Sequence, residues 1–366
     1  MTMTPVAASA QPAPVEADED RPRKVNAATA DDRFSFAACF IGSGALVWVV
    51  YDRLLPFSGA FGFIVCWYFA FLAIYVAVTA MSQPRPIVVD KLAGAVVQGG
   101  ALVVFFAVLS TIVYTFVEGR HAIIHLNFFT QTMKVTAPTA PLNQGGILHA
   151  IVGTLIEIGI AVIVSFPLGV GTGVYMAEVG GGFARIVRTV VEAMTALPDI
   201  VAGLFIYTVL IVPPISLQTG GLAAACALAI TMVPIIARTT EVQLRIVPGG
   251  LREASLALGT SRWRTVRMVV LPTARAGLAT AVILGIARAI GETAAVLLTS
   301  GESNFLNLNP INNPMNSLPL YIYHGFSSGE TLAKERYWGA ASVLLVLVLV
   351  LFVTARILAR PRSGRS

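Results

Sequence analysis

Apolar residues run through this chain in stretches too long for an ordinary strand and too continuous for an alternating one. A membrane span needs about 20 apolar residues at roughly 1.5 Å rise each. Eight windows reach that length: 36–55, 58–81, 92–117, 148–175, 193–213, 220–237, 276–299 and 338–356. No window alternates as the strand of a β-barrel does. The pattern predicts an all-α polytopic membrane protein with about eight transmembrane helices. Two connecting segments, 118–147 and 300–337, are long enough to hold structure of their own, and loops of that length usually dock or gate something.

Composition agrees. Of 366 residues, 56% are hydrophobic and 12% charged, with mean hydropathy +0.78, against about a quarter charged in globular domains. The net charge of +6 raises the question of nucleic acid, but the basic residues sit in short loops between apolar runs. With the N-terminus inside, nineteen Lys and Arg fall on the inner side. Five fall outside (Arg53, Arg120, Lys134, Lys334 and Arg336), and Arg288 is left within the membrane. That asymmetry is the positive-inside pattern; it predicts both termini cytoplasmic and removes nucleic acid from the partners. Residues 1–35 are expected to form a disordered cytoplasmic tail, rich in Ala, Pro, Asp and Glu and too polar to fold alone. They are no signal peptide, because Glu16, Asp18, Glu19 and Asp20 precede any apolar core. Residues 359–366 read as a short basic cytoplasmic tail. Cys39, Cys66 and Cys226 all fall inside apolar runs and read as small apolar fillers rather than a disulfide or metal set.

The stretch Arg252–Pro272 lies between two apolar runs and reads Glu253-Ala254, three residues, Gly259, nine residues, Val269, one residue, Leu271-Pro272. Leu251, Ala254 and Leu258 share one helical face before Gly259; Trp263, Val266 and Val269/Val270 share one after it. Gly259 supplies the freedom for a sharp turn between two short helices. Arg252, Arg262, Arg264 and Arg267 are expected to keep the rest wet. An amphipathic knuckle of this kind needs a partner groove or a lipid surface.

The spacing is similar to the cytoplasmic loop signature of ABC importer permeases, E-A-A-x3-G-x9-I-x-L-P, with Ser255 for the second Ala and Val269 for Ile. From Gly145 to Arg356 the chain resembles more narrowly the PstA-type subunit of the phosphate-specific importer. Gly145–Thr154, Pro167-Leu-Gly169, Tyr175–Glu178, Gly203–Tyr207, Arg238-Thr-Thr-Glu241 and Val247-Pro248 carry that likeness in order. So does Ile286-Ala-Arg288-Ala-Ile-Gly-Glu292-Thr293, similar to the family's I-A-R-x-x-G-E-T. The resemblance implies an ABC importer type-1 permease core. It would lie in a six-helix domain over 92–358, with the core about 148–356 and an ATPase coupling loop over 245–275. Residues 36–91 would then be two added N-terminal helices. It also implies a homologous permease partner, two ATPase subunits holding ATP and Mg, an extracytoplasmic phosphate-binding protein, and a multi-pass place in the bacterial cytoplasmic membrane. Coupling would fall to Arg252, Glu253, Ala254, Gly259, Trp263, Leu271 and Pro272, and the translocation pathway to Arg288, Glu292, Arg238 and Glu241. Three positions depart from the family: Asp199 after Leu197-Pro198, Gly249-Gly250 in place of a capping Ser for Glu253, and Glu157 within span four.

Each candidate has a plainer reading beside the functional one. Arg288 is expected near the middle of its span, where a charge is costly, with Glu292 one turn away on the same face. The pair reads either as a pathway element, a guanidinium fork suiting phosphate oxygens, or as a structural ion pair. Arg238 and Glu241 read first as a helix-end or interfacial salt bridge and second as the inner mouth of the pathway. Glu157 reads as a bond to a neighbouring helix, or as a proton-relay group. Asp199 reads as a helix cap after Pro198, and Gly169, Gly171 and Gly173 as a close-packing stripe. Gly325-Phe-Ser-Ser-Gly329 fits the G-x-S-x-G elbow, but without strand–turn–helix context it is coincidence. No Gly-Lys dipeptide exists, so no phosphate-binding P-loop is encoded, and the chain is a transport subunit with no ATPase site and no cofactor of its own. The rival functions are a permease for another oxyanion such as sulfate or molybdate, a proton-coupled secondary carrier using Glu157 or Glu292, and a membrane sensor of phosphate status.

Overall fold

A computed structural model describes residues 30–54, 59–327 and 333–358. Most of the expected N-terminal tail and all of the expected basic tail 359–366 lie outside these residues. Among the described residues there is no strand, and the chain falls into two compact units, Met1–Val108 and Leu109–Ser366.

The first unit holds α1 (Ala30–Trp48), which ends in a π-helical turn over Val49–Leu54, then α2 (Ala60–Ser82) and the first part of α3 (Arg85–Ile123). α1 begins inside the stretch expected as tail. Aromatic rings join α1 to α2: Phe36 meets Phe71 edge-on at 5.1 Å, and Phe71 stacks on Tyr75 at 5.6 Å. The Trp67 indole donates to the Phe40 carbonyl at 3.0 Å and to Ser43 Oγ at 3.1 Å, satisfying its N–H inside an apolar contact. Lys91 on α3 pairs with Asp32 on α1 at 2.5 Å. Cys39 is a buried filler here, whereas Cys66 is exposed on α2.

The second unit takes the rest of α3 and then α4 (Asn127–Thr130), α5 (Leu148–Val174), α6 (Gly181–Thr195), α7 (Asp199–Ile206) and α8 (Gly221–Ile246). α9 (Gly249–Ala257), α10 (Arg262–Thr265), α11 (Leu271–Ala289), α12 (Ala294–Leu297), α13 (Leu318–Ser327) and α14 (Lys334–Leu358) complete it. α10 runs into α11 through a π-helical turn at Val266–Val270, making one continuous candidate span, Arg262–Ala289.

α8 is the hub. It packs on α5 and α11 around Ala161, Leu228, Met232, Ile236 and Ala281. Small residues let the α5 and α8 backbones approach: a Cβ at Gly169 would lie 2.7 Å from the Ile236 side chain, and one at Gly173 2.7 Å from the Ala237 carbonyl. Gly171, expected in the same stripe, has open space around it, because a residue two positions along a helix points to the far side.

Two expected spans differ from the windows. The fifth, 193–213, is broken: α6 and Asp199–Ile211 meet at 102°. Pro198 disfavours helical geometry at Leu197 and ends the approach, and α6 is amphipathic, burying Ala184 and Val191 while carrying Arg185, Arg188 and Glu192. Among the described residues, seven helices are therefore long and apolar enough to cross, or eight if the bent pair counts as one crossing. The seventh window, 276–299, is displaced. Its helix starts at Arg262 and ends at Ala289, after which the chain turns, with Glu292 N–H on the Ala289 carbonyl at 3.0 Å.

The segment before α5 and the one after α12 are ordered by polar side chains. Asn127 Nδ2 donates to the Leu142 and Gly145 carbonyls at 2.9 and 2.7 Å. Arg336, counted among the outer charges, is buried, donating to the carbonyls of Pro138, Ala140, Pro141 and Gln144 at 2.8–3.2 Å.

Candidate functional site

The turn after α11 is where charge converges. Arg288 lies in the last turn of α11, not at mid-span; this corrects the sequence reading, which followed an apolar run that continues past the helix end. Nη1 of its guanidinium donates to Glu292 Oε2 at 2.8 Å, and Nη2 donates to Asp199 Oδ2. Glu292 also accepts from the Ala294 N–H at 3.0 Å through its other oxygen. It therefore closes the start of α12 and holds Arg288 together.

Asp199 is the residue that sequence reasoning missed here. Pro198, not Asp199, occupies the cap position, and Asp199 is the first helical residue of α7. A carboxylate in a first turn and a guanidinium in a last turn are each favoured by their helix dipoles, so two helix ends are tied by one ion pair. α7 also lies tightly on α12: a Cβ at Gly203 would come 2.9 Å from the Ala295 Cα. Side-chain exposure grades the cluster, with Glu292 at 8%, Asp199 at 23% and Arg288 at 45%.

The second cluster sits at the other end of α8. Glu241 is buried and accepts from Arg188 at 2.5 Å, Arg245 at 2.7 Å and Arg238 at 3.3 Å. Arg238 is half exposed and reaches Glu192 on α6 as well, at 3.3 Å. The expected Arg238–Glu241 pair is present, inside a larger network. The i,i+4 spacing to Arg245 is legible in sequence; the link to Arg188, 53 positions away, is not.

Between α8 and α11 the chain makes the expected knuckle. α9 ends at Ala257, Gly259 adopts φ +78°, and Ser261 caps α10 by accepting from the Arg264 N–H at 3.4 Å. Leu258 and Trp263 project outward at 85% and 66% exposure, beside exposed Glu253 and Ala254. Val266 and Val270 do not share Trp263's exposed face: both are buried, Val270 in a cluster with Leu244, Val247 and Ala274. The π-helical turn they form contains an extra residue, which rotates the register. Leu271 packs on this cluster, and Pro272 is in the first turn of α11. Arg252 is not a solvated charge either: it bonds Glu178 at 2.7 Å and the Leu244 and Val247 carbonyls at 2.7 Å each. Ser255, Thr260 and Thr265 bond one another across the turn at 2.8–3.0 Å. The knuckle is thus internally braced and leaves its apolar tip uncovered in this chain.

Glu157 on α5 is fully buried and lies against Ser300 Oγ, whose single hydroxyl hydrogen is shared between Glu157 and the Met315 carbonyl. Thr154, one turn earlier, accepts from the Leu318 N–H at 2.8 Å. Together they fasten the segment 300–317 onto α5. A cavity of about 140 Å³ lies beyond it, lined by Thr136, Glu302, Asn304, Tyr321 and His324, where His324 Nδ1 and Glu302 pair at 2.8 Å. The elbow-like run begins in helix α13 at Gly325, against the Tyr337 ring; its last two residues lie outside the described ones.

Residues 169–363 match the family described as the binding-protein-dependent transport system inner membrane component, which is more than half of the chain. The chain belongs to that family. Within it, this permease is 37% identical over 239 residues to phosphate transport system permease protein PstA 1 of Mycobacterium tuberculosis, covering 65% of this chain and 78% of that one. To PstA of Haemophilus influenzae it is 36% identical over 251 residues, covering 68% and 86%. These likenesses place the permease in the PstA group. In structure it resembles a chain of a bacterial alginate ABC transporter, with TM-score 0.53 at 13% identity over 75% of this chain and 96% of that one. That likeness supports the ABC importer permease fold.

Proposed function

We propose that this chain works as the permease subunit of an ATP-driven inorganic phosphate importer and forms the translocation pathway with a second, homologous permease. The observation that carries the reading, beside membership of the PstA group, is the placement of Arg288. It is a half-exposed guanidinium at a helix break, a planar donor fork matched to phosphate oxygens. Arg288 and Glu292 would line the pathway, and Arg238 and Glu241 would stand at its inner mouth. The braced knuckle with Leu258 and Trp263 at its tip would fit a groove on an ATPase subunit. Two such ATPases, holding ATP and Mg, would drive the pair of permeases, and an extracytoplasmic phosphate-binding protein would dock on the ordered segments 118–147 and 300–317. The subunit would lie in the bacterial cytoplasmic membrane with both termini inside.

The test is uptake by proteoliposomes containing the co-expressed permeases and ATPases, supplied with binding protein. Labelled phosphate should enter only while ATP is hydrolysed. Uptake that persists with hydrolysis blocked and follows a proton gradient would replace this reading with the secondary carrier. Uptake of sulfate or molybdate without phosphate would replace it with another oxyanion permease.

A further inference from the structure

We infer that Asp199 is an internal competitor for the transported anion: it holds part of the Arg288 donor fork, and a passing phosphate takes its place. This rests on the phosphate reading and deepens it. The two carboxylates on Arg288 are not equivalent. Glu292 is nearly enclosed, uses one oxygen on Arg288 at 2.8 Å and the other on the Ala294 N–H at 3.0 Å, and so belongs to the frame of the α11–α12 turn. Asp199 meets only Nη2, comes from a different helix and is the more exposed of the two. An anion that approaches Arg288 can displace Asp199 without leaving an enclosed group unpaired, whereas displacing Glu292 would strip the start of α12 of its acceptor.

The charge count has a consequence for transport. One guanidinium faces two carboxylates, so the cluster carries an excess negative charge before any substrate arrives. A pathway must hold its ion weakly enough to release it, and a displaceable carboxylate weakens the hold without removing the cation. When phosphate leaves, Asp199 returns and completes the desolvation balance of Arg288. The same exchange would free α7 from α11 while phosphate is bound, since the pair links the first turn of one to the last turn of the other.

The experiment uses the assembled permease–ATPase complex in phosphatidylcholine nanodiscs, without binding protein or nucleotide, and measures equilibrium binding of labelled inorganic phosphate. Asp199→Asn, which keeps the shape and removes the charge, should bind phosphate about tenfold more tightly than wild type, as expected when one competing charge is removed beside a partly exposed cation. Asp199→Ser should show the same gain, and Arg288→Gln should abolish binding in both backgrounds. A gain of affinity is not something structural damage produces. Unchanged or weaker binding by both Asp199 variants at wild-type complex yield overturns the inference, as does failure of both to assemble, which would make the contact structural. Wild-type proteoliposomes assayed in parallel separate the two levels. ATP-driven phosphate uptake without an affinity gain in the variants sinks the competitor role alone; no phosphate uptake by wild type sinks the functional reading and this inference with it.

Discussion

Glu241 accepts from Arg188 at 2.5 Å across the contact between α8 and α6, and its carboxylate is among the most enclosed polar groups of the chain. With Arg245 and Arg238 also on it, one buried anion gathers three cations. Removing the anion leaves three like charges together, so Glu241→Ala should lower the yield and thermal stability of the complex, by about 3–5 kcal/mol if it behaves as other broken buried pairs do. Arg238→Gln should cost about 1 kcal/mol or less, because that side chain is half exposed and shared with Glu192. Melting of the two purified variants checks the ranking; equal losses would mean that Glu241 is not the centre of the network.

The sequence made the helices, the knuckle and most of the charged positions legible, because they follow from local pattern: long apolar runs, a Gly at a turn, i,i+3 and i,i+4 spacings. It foresaw the turn at Gly259 and the contacts Arg288–Glu292 and Arg238–Glu241. It did not place the end of α11. Hydropathy averages over a window, and residues 290–299 stay apolar beyond the turn that ends the helix at Ala289. Nor could it find partners brought together only by tertiary contact. Asp199 on Arg288, Arg188 on Glu241, Glu178 on Arg252 and the carbonyl cage around Arg336 each join residues dozens of positions apart or more. Arg336 is the sharpest case. Its type and its flanks suggest a wet surface charge, and only the folded segment 138–144 supplies the acceptors that make burial tolerable.

Gly259→Asp separates the shape of the knuckle from its surface. The backbone there is left-handed, a conformation Asp tolerates better than most residues, and a side chain would meet nothing within 4 Å in this chain. The variant should therefore fold and insert, yet fail to co-purify with the ATPase, because a charge would then enter the groove proposed for the tip. Gly259→Ala should keep most of the association. Wild-type ATPase recovery with the Asp variant would show that this tip does not dock.

The proposed orientation rests on the distribution of Lys and Arg, nineteen on the inner side against five outside. In a background without the three native cysteines, single cysteines at exposed Val135 and Asn309 should react with an impermeant thiol reagent on intact cells. One at exposed Leu258 should react only after the membrane is opened and the ATPase is stripped off. Labelling of Leu258Cys from outside would invert the topology.

Arg288→Gln is expected to reduce phosphate uptake to background while the complex still assembles, since the half-exposed position lets water reach whatever is left unpaired. A purely structural pair makes a different prediction for the double variant. Replacing Arg288 and Glu292 together by Gln removes both charges, and the amide at 292 can still accept from the Ala294 N–H. If the pair served packing alone, the double variant would recover transport. If Arg288 is in the pathway, it assembles and remains inactive. Complex yield and uptake measured side by side decide between them.

Glu157 offers the clearest separation of an ATP-driven permease from a proton-coupled carrier. It is fully buried on α5, the Ser300 hydroxyl lies against it, and no Lys or Arg side chain among the described residues reaches it. Its evident work is to fasten the segment 300–317, together with Thr154 and the close approach of Asn316 to Gly153. Gln has the same length, accepts from Ser300 through its carbonyl oxygen and carries no charge. Glu157→Gln should therefore leave complex yield normal and ATP-driven uptake within about twofold of wild type. Glu157→Ala removes the acceptor and opens a void, and should lower thermal stability by about 2–4 kcal/mol and loosen segment 300–317, read as faster hydrogen exchange across residues 300–317. A carrier that moves protons on this carboxyl predicts the reverse ranking for function, because an amide cannot shuttle a proton. Loss of uptake in Glu157→Gln with the complex intact would make Glu157 part of the transport chemistry; retention confines it to holding the outer segment in place.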